Sequence, residues 1–263
     1  MHFFELKDGV LYAEGVSLET IAEQVGTPTY VYSAGTLRRH YGLMRDACDA
    51  HKGALGEALI AFAVKANSNL SVLKVLGAMG CGADTVSEGE IRRALKAGIP
   101  ASKIIFSGVG KTDAELAFAI QQGVRQINVE SSTELQRLIA VVKSLKQDPT
   151  ASGPVANPDV AIRVNPKIGA GGHAKITTGG AGDKFGVPVE EAMQLYAVAS
   201  ASEHVNPVGL ACHIGSQITD LTPLENAFKV IRGMTETLRE QGHTVTRLDL
   251  GGGLGVPYYG ETN

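Results

Sequence analysis

The chain of 263 residues is 44% hydrophobic and 19% charged, with a formal net charge of -3, the composition of an ordinary globular protein long enough to bury one large core. That balance offers no basic surface to nucleic acid, and with no tryptophan and 5% aromatics there is little to stack on bases. No apolar run approaches the roughly 18 residues needed to span a bilayer, and the start "MHFFELKDGVLYAEGV" lacks the basic and apolar regions of a signal peptide.

Residues 1–29 read as an N-terminal segment, and 30–263 as one domain of alternating strands and helices. The run "ALIAFAVKANSN" closes an apolar strand on Lys65, and leucines and valines at helical spacing follow over Asn69–Met79. "CGADTVS" predicts a short strand ending near Asp84, and "SEGEIRRALKAGIP" predicts a helix with a capping-type start and a Gly, Pro exit. "KIIFSG" and "QINVE" are the next strands, with helices over about Thr112–Gln122 and Ser132–Leu145. "DVAIRVNP" is a fifth strand, with a helix starting near Pro188; "PVGLACHIG" is a sixth, with a helix through Thr222–Gln241; "TRLDLGGG" is a seventh. Strands this apolar suit buried parallel pairing with helical crossovers. Seven in tandem predict an α/β fold, a (β/α)8 TIM-type barrel that breaks off before its eighth strand. Two loops interrupt the rhythm. Lys146–Asp159 reads as a surface connection, and the glycine-rich Asn165–Gly186 is long enough to be a mobile lid.

Cys48, Cys81 and Cys212 are odd in number and form no CxxC pair, so they predict reduced thiols in a cytoplasm, with neither a disulfide framework nor a metal site. In barrels of this kind the chemistry sits where strands run out into the following loops. Those ends hold Lys65, Asp84, Ser107, Glu130, Arg163, His213 and the glycines 251–253. Lys65 is either a snorkelling surface residue or a Schiff-base amine. "GGGLG" is either a tight turn or a cradle of backbone amides for a phosphate, and Ser216 could add a hydroxyl to it. His213 is either a core histidine or a ring stacked on a flat ligand, and Arg163 either pairs with a carboxylate or serves that ligand.

The motifs "FAVKANSN", "CGADTVSEGEIRRALKAGIP", "KIIFSGVGKTDAEL", "INVESSTEL", "IRVNP", "HAKITTGG…DKFGV", "CHIGSQI" and "LDLGGGLGVPY" resemble, in order, the barrel domain of the diaminopimelate decarboxylase family, within the alanine-racemase-like group of pyridoxal-phosphate proteins. The resemblance implies an alanine-racemase-like barrel and pyridoxal 5'-phosphate held as a Schiff base by Lys65. It implies His213 against the cofactor ring, Ser216, Gly251, Gly252 and Gly253 at its phosphate, and Asp84 and Arg163 near its ring and phenolic oxygen. The implied catalytic residues are Lys65 and His213, and the implied reaction is decarboxylation of meso-2,6-diaminopimelate to L-lysine and CO2. A homodimer is implied too, with a C-terminal β domain, against which residues 1–29 would pack, lying beyond Asn263. A decarboxylase of arginine, ornithine or another diamino acid, and a non-catalytic homologue that binds the same cofactor, are the rival readings.

Overall fold

A computed structural model describes residues 3–149, 155–169 and 185–256. The chain forms two compact units, one of residues up to Thr85 with Gly89–Ile104, the other of Val86–Glu88 with the residues from Ile105 on.

The first unit opens with an antiparallel meander, β1 (Phe4–Lys7), β2 (Val10–Ala13) and β3 (Val16–Ser17). Asp8 and Gly9 turn β1 into β2 with φ of 50° and 83°, the pair of positive values that a two-residue Asp-Gly hairpin uses. Helix α1 (Leu18–Val25) follows, then α2 (Ala34–Ala50), whose first turn is fixed by Ser33. The Ser33 hydroxyl accepts from the Thr36 amide at 2.9 Å and donates at 2.7 Å to Glu14 Oε1, which also accepts from the Gly35 amide at 2.7 Å. These bonds satisfy helix-start donors. After α3 (Lys52–Leu55) come β4 (Ala61–Ala63), α4 (Leu70–Ala78) and β5 (Gly82–Thr85), with β4 and β5 parallel and Ala63 beside Asp84. Tyr41, Val72, Leu76 and Cys81 form a core joined by Ile60 and Phe62. One face of β4 is thereby spent on helices, while Ala61, Ala63 and Asp84 belong to the other. Helix α5 spans Glu88–Lys96.

The second unit holds β6 (Ile104–Phe106), α6 (Asp113–Gln122), β7 (Gln126–Val129), α7 (Ser132–Gln147), β8 (Asp159–Asn165), β9 (Val187–Pro188), α8 (Val189–Ser200), β10 (Asn206–Cys212), α9 (Thr222–Glu240) and β11 (Arg247–Asp249). Its strands are parallel in the order β6-β7-β8-β10-β11, with β9 beside the end of β8. Thr112 and Glu115 close a reciprocal capping box on α6. The seven strands that the sequence predicts are present as β4, β5, β6, β7, β8, β10 and β11 with helices between them, although β4 stops short of Lys65 and the two-residue β9 was not expected.

The apolarity of the strands needs a correction. Ile127, Val129, Ile162, Val164 and Leu210 are fully or almost fully buried and alternate with Gln126, Asn128, Ala161, Arg163, Gly209 and Ala211. Parallel register aligns the second set into rows. Asn128, Ala161, Gly209 and Arg247 form one row, and Arg163, Ala211 and Asp249 the next. One face is aliphatic and the other small or polar, the period-2 pattern of a strand with two different faces.

Two hydrogen bonds cross that polar face instead of following the sheet. Asn128 Nδ2 donates to Asp249 Oδ2 at 2.8 Å, and Arg247 Nη1 donates to the Arg125 carbonyl at 3.1 Å. Strands β7 and β11 are three steps apart, roughly 14 Å in a flat sheet. Two short side chains cannot span that distance, so the sheet of this unit curls with its polar face inside. Ala161, Gly209 and Ala211 leave the room these chords occupy.

Candidate functional site

In the first unit Lys65 follows β4 in a single 3-10 turn, Val64–Ala66, and its side chain is exposed while Val64 is fully buried. The sequence reading ran the strand to the lysine; the structure ends the strand at Ala63 and turns. The turn is held on its far side. The Asn67 amide donates to the Val64 carbonyl at 3.1 Å, Asn67 Oδ1 accepts from the Asn69 amide at 3.0 Å, and Asn69 Oδ1 caps α4 through the Ser71 amide at 2.8 Å. Arg93 Nη1 also donates to the Ser68 carbonyl at 3.1 Å. The "KANSN" spacing is therefore two successive Asx turns that fix the backbone under a solvent-accessible amine. Asp84, half-buried, is the penultimate residue of β5, beside Ala63.

In the second unit the glycine run follows β11. Gly251 has φ of 66° and Gly253 of 89°, left-handed conformations that side-chain-bearing residues avoid. Space forbids side chains as well. A Cβ on Gly251 would lie 2.5 Å from the Cys212 carbonyl oxygen and 3.0 Å from His213 Nδ1, and one on Gly253 would overlap the Gly215 carbonyl oxygen beside Ser216. Past the run, the Ile218 amide donates to the Gly253 carbonyl at 2.9 Å and the Gly255 amide to the Ile218 carbonyl at 2.9 Å. His213, half-buried, Ser216, exposed, and the glycines are thus brought together, with open space where a Cβ on Gly252 would point. Asp249 steadies the turn through Oδ1, which accepts from the Gly251 amide at 3.0 Å. Bare peptide at positive φ, a serine hydroxyl and an imidazole make a donor set that fits a phosphate and a flat ring.

Arg163 lies on the same polar face, buried, with Nη1 2.9 Å from Glu130 Oε1 and its guanidinium carbon 5.0 Å from the centre of the Phe185 ring. Of the two readings open to it, the carboxylate pair is present. Glu130 Oε1 also accepts from the Gly108 amide at 2.7 Å, while Oε2 is buried with no hydrogen-bond partner among the described residues. Ser107 accepts from Asn128 Nδ2 at 3.1 Å. Burial pushes the Cys212 thiol up to about 11, against the pull of Arg163 and with the help of the Asp249 charge. Cys48, Cys81 and Cys212 are all free thiols. Sequence reasoning missed Asn128 and Asp249, although polar residues at alternate positions of apolar strands mark an inner face. It also missed Lys111 and Glu134, which spacing alone does not distinguish from solvated residues at helix starts. The stretch Asn165–Gly186, expected to act as a lid, lies largely outside the described residues.

The family model of pyridoxal-dependent decarboxylases, in its pyridoxal binding domain, matches residues 41–263. The chain belongs to the pyridoxal-dependent decarboxylase family. A diaminopimelate decarboxylase of Pseudomonas aeruginosa is 44% identical over 99% of this chain and 60% of its own length. Two solved structures of pyridoxal-dependent decarboxylases are similar throughout. Diaminopimelate decarboxylase from Helicobacter pylori complexed with L-lysine has a TM-score of 0.84 and 38% identity, covering 93% of this chain and 59% of that one. The enzyme from Methanocaldococcus jannaschii in co-complex with L-lysine has 0.89 and 36%, covering 99% and 58%. The α/β fold is thus that of these decarboxylases, and the cofactor of the family is pyridoxal phosphate. The chain spans about 60% of the length of the curated relatives it matches. Among the described residues no helix is long and apolar enough to cross a membrane.

Proposed function

We propose that the protein decarboxylates meso-2,6-diaminopimelate to L-lysine and CO2, with pyridoxal phosphate bound to residues of this chain. The observation that carries the reading is its 44% identity, over 99% of the chain, to a diaminopimelate decarboxylase. The L-lysine complexes of solved relatives match the product of that reaction. Residues 30–263 are the cofactor-binding domain, preceded by the segment 1–29, and the working protein is a cytoplasmic homodimer. Its three free thiols agree with a reducing compartment.

The roles follow from what each residue can do. Lys65 presents an accessible amine on a fixed turn, able to hold the cofactor covalently and to exchange it for the amine of the substrate. His213 would hold the cofactor ring, and Ser216 with the backbone of Gly251, Gly252 and Gly253 would take the phosphate. Arg163, held by Glu130, would offer a fixed positive charge to an anionic oxygen on the ring, and Asp84 is the other side chain proposed to serve the ring. When bound, pyridoxal phosphate supplies an electron sink for the pair released as CO2 leaves.

The test is spectroscopic. The protein with pyridoxal phosphate is expected to show a visible absorption band, and borohydride should fix one cofactor on the peptide carrying Lys65. Lys65→Ala should abolish both while its far-ultraviolet circular dichroism stays that of the parent. An undiminished band in that variant removes Lys65 from the role. Release of CO2 and lysine from diaminopimelate, compared with arginine and ornithine, tests the substrate.

A further inference from the structure

The motif "GVGKTDAEL" contains a lysine that the site described above leaves unused. Lys111 stands just before α6, where a lysine is ordinarily solvated, yet its side chain is 0% exposed. Its three N–H groups meet three acceptors, each at 2.7 Å: the Gly108 carbonyl, the Asn128 carbonyl and Glu134 Oε1. That is the full donor capacity of an ammonium. Glu134 Oε2 accepts from the Glu130 amide at 3.3 Å, and Glu130 Oε1 in turn accepts from the Gly108 amide and from Arg163. A closed circuit results, running Lys111, Gly108, Glu130, Glu134 and back, with Arg163 attached at Glu130. Burial pushes the Glu134 carboxyl up, opposed by the Lys111 ammonium.

Two buried cations and two buried carboxylates balance, but desolvating four charges is a poor way to gain stability. A satisfied buried network instead fixes geometry. Here the fixed object is the Glu130 carboxylate. It cannot rotate without losing the Gly108 amide, and its backbone cannot shift without losing Glu134. Arg163 has Glu130 as its ion-pair partner, so the circuit sets where that guanidinium points.

We propose that Lys111, acting through Glu134, is a positioning residue that orients the Glu130–Arg163 pair toward the anionic cofactor. The inference rests on the reading of this face as the pyridoxal-phosphate site. Lys111 touches neither cofactor nor substrate in this account, and its effect reaches them through Arg163.

The experiment titrates the full chain with pyridoxal phosphate itself and reads the Kd, the visible circular dichroism of the bound cofactor and the unfolding temperature. Arg163→Gln and Lys111→Met are each expected to weaken binding about tenfold, with the double variant no more than about twofold weaker than Arg163→Gln alone, the non-additivity of residues acting in one chain. Lys111→Met should also reduce the visible dichroism at saturation, which a loss of stability alone would not do. Glu134→Gln, which keeps the shape but leaves one acceptor oxygen for the two bonds that Glu134 accepts from Lys111 and the Glu130 amide, carries the same expectations should Lys111→Met fail to fold. A parent chain with no cofactor band refutes the reading of the face, and the proposal with it. A normal parent band, with Kd and dichroism unchanged in folded Lys111→Met or Glu134→Gln, refutes the proposal alone, as do losses that multiply in the double variant.

Discussion

Two neighbouring glycines of the run after β11 should behave oppositely when given a methyl group. Gly253 has φ of 89°, and its Cβ would overlap the Gly215 carbonyl oxygen, a backbone atom that cannot swing aside. The left-handed conformation alone costs an alanine roughly 1–2 kcal/mol, and relieving the overlap by moving backbone adds about 1–3 kcal/mol. Displacing the strap also loosens the bond from the Ile218 amide to the Gly253 carbonyl, worth about 1 kcal/mol. Gly253→Ala should therefore destabilise the second unit by about 4 kcal/mol. Gly252 lies outside the left-handed range, and its Cβ would meet nothing within 4 Å. Gly252→Ala should stay within about 1 kcal/mol of the parent, helped by the reduced freedom of the unfolded chain. Urea unfolding of both variants without cofactor measures the difference, and pyridoxal-phosphate titration of Gly253→Ala should show the parallel loss of affinity. Equal stabilities, or a Gly252→Ala that is the worse of the two, would refute the idea that this run is shaped by backbone contact with Gly215.

Asp249→Ala removes the acceptor of the Gly251 amide and of Asn128 Nδ2 and should cost about 2 kcal/mol while weakening cofactor binding; thermal unfolding and the same titration check it, and an unchanged Kd would detach Asp249 from the phosphate turn. Stability should also fall in alkali. Burial raises Cys81 and Cys212 from 9.0 to about 11, so the folded chain keeps two protons that the unfolded chain releases. The stabilisation is complete below about pH 9 and is lost as pH rises toward 11, at up to roughly 2–3 kcal/mol for each thiol. Urea midpoints that stay level from pH 8 to 10.5 would contradict this.

The order of elements was legible because each is announced locally. Thr112 and Glu115 announce α6 three residues apart, and Asn69 announces α4 by its side chain. The N-terminal meander was not read, because strands this short carry too little alternation to stand out, although Asp8-Gly9 marks its first turn. Of the candidate site, His213, Ser216 and the glycines were visible as strand ends, and the structure brings them together in one unit. The circuit around Lys111 was not visible, because its members come from three separate segments: Lys111 with Gly108, Asn128 with Glu130 and Glu134, and Arg163. Only the pairing of β7 and β8 brings Glu130 to Arg163. Contacts of that kind depend on register, which is set by the fold as a whole.

The inversion of polarity in the second unit ties these observations together. Helices cover the outer face of its sheet, so Ile127, Val129, Ile162, Val164 and Leu210 point outward into them, and hydrophobic burial holds the helices in place. The inner face is released from that task. It can then carry Arg163, Asn128 and Asp249, with Ala161, Gly209 and Ala211 as spacers. A polar interior is tolerable only when its groups are paired, and the chords and the Lys111 circuit supply the pairing. The exception is Glu130 Oε2, which sits on the carboxylate whose other oxygen accepts from the Gly108 amide and Arg163. The fold thus leaves its one unmet acceptor of this face, among the described residues, on the group that aims Arg163, and rigidity there serves the placement of charge more than the stability of the chain.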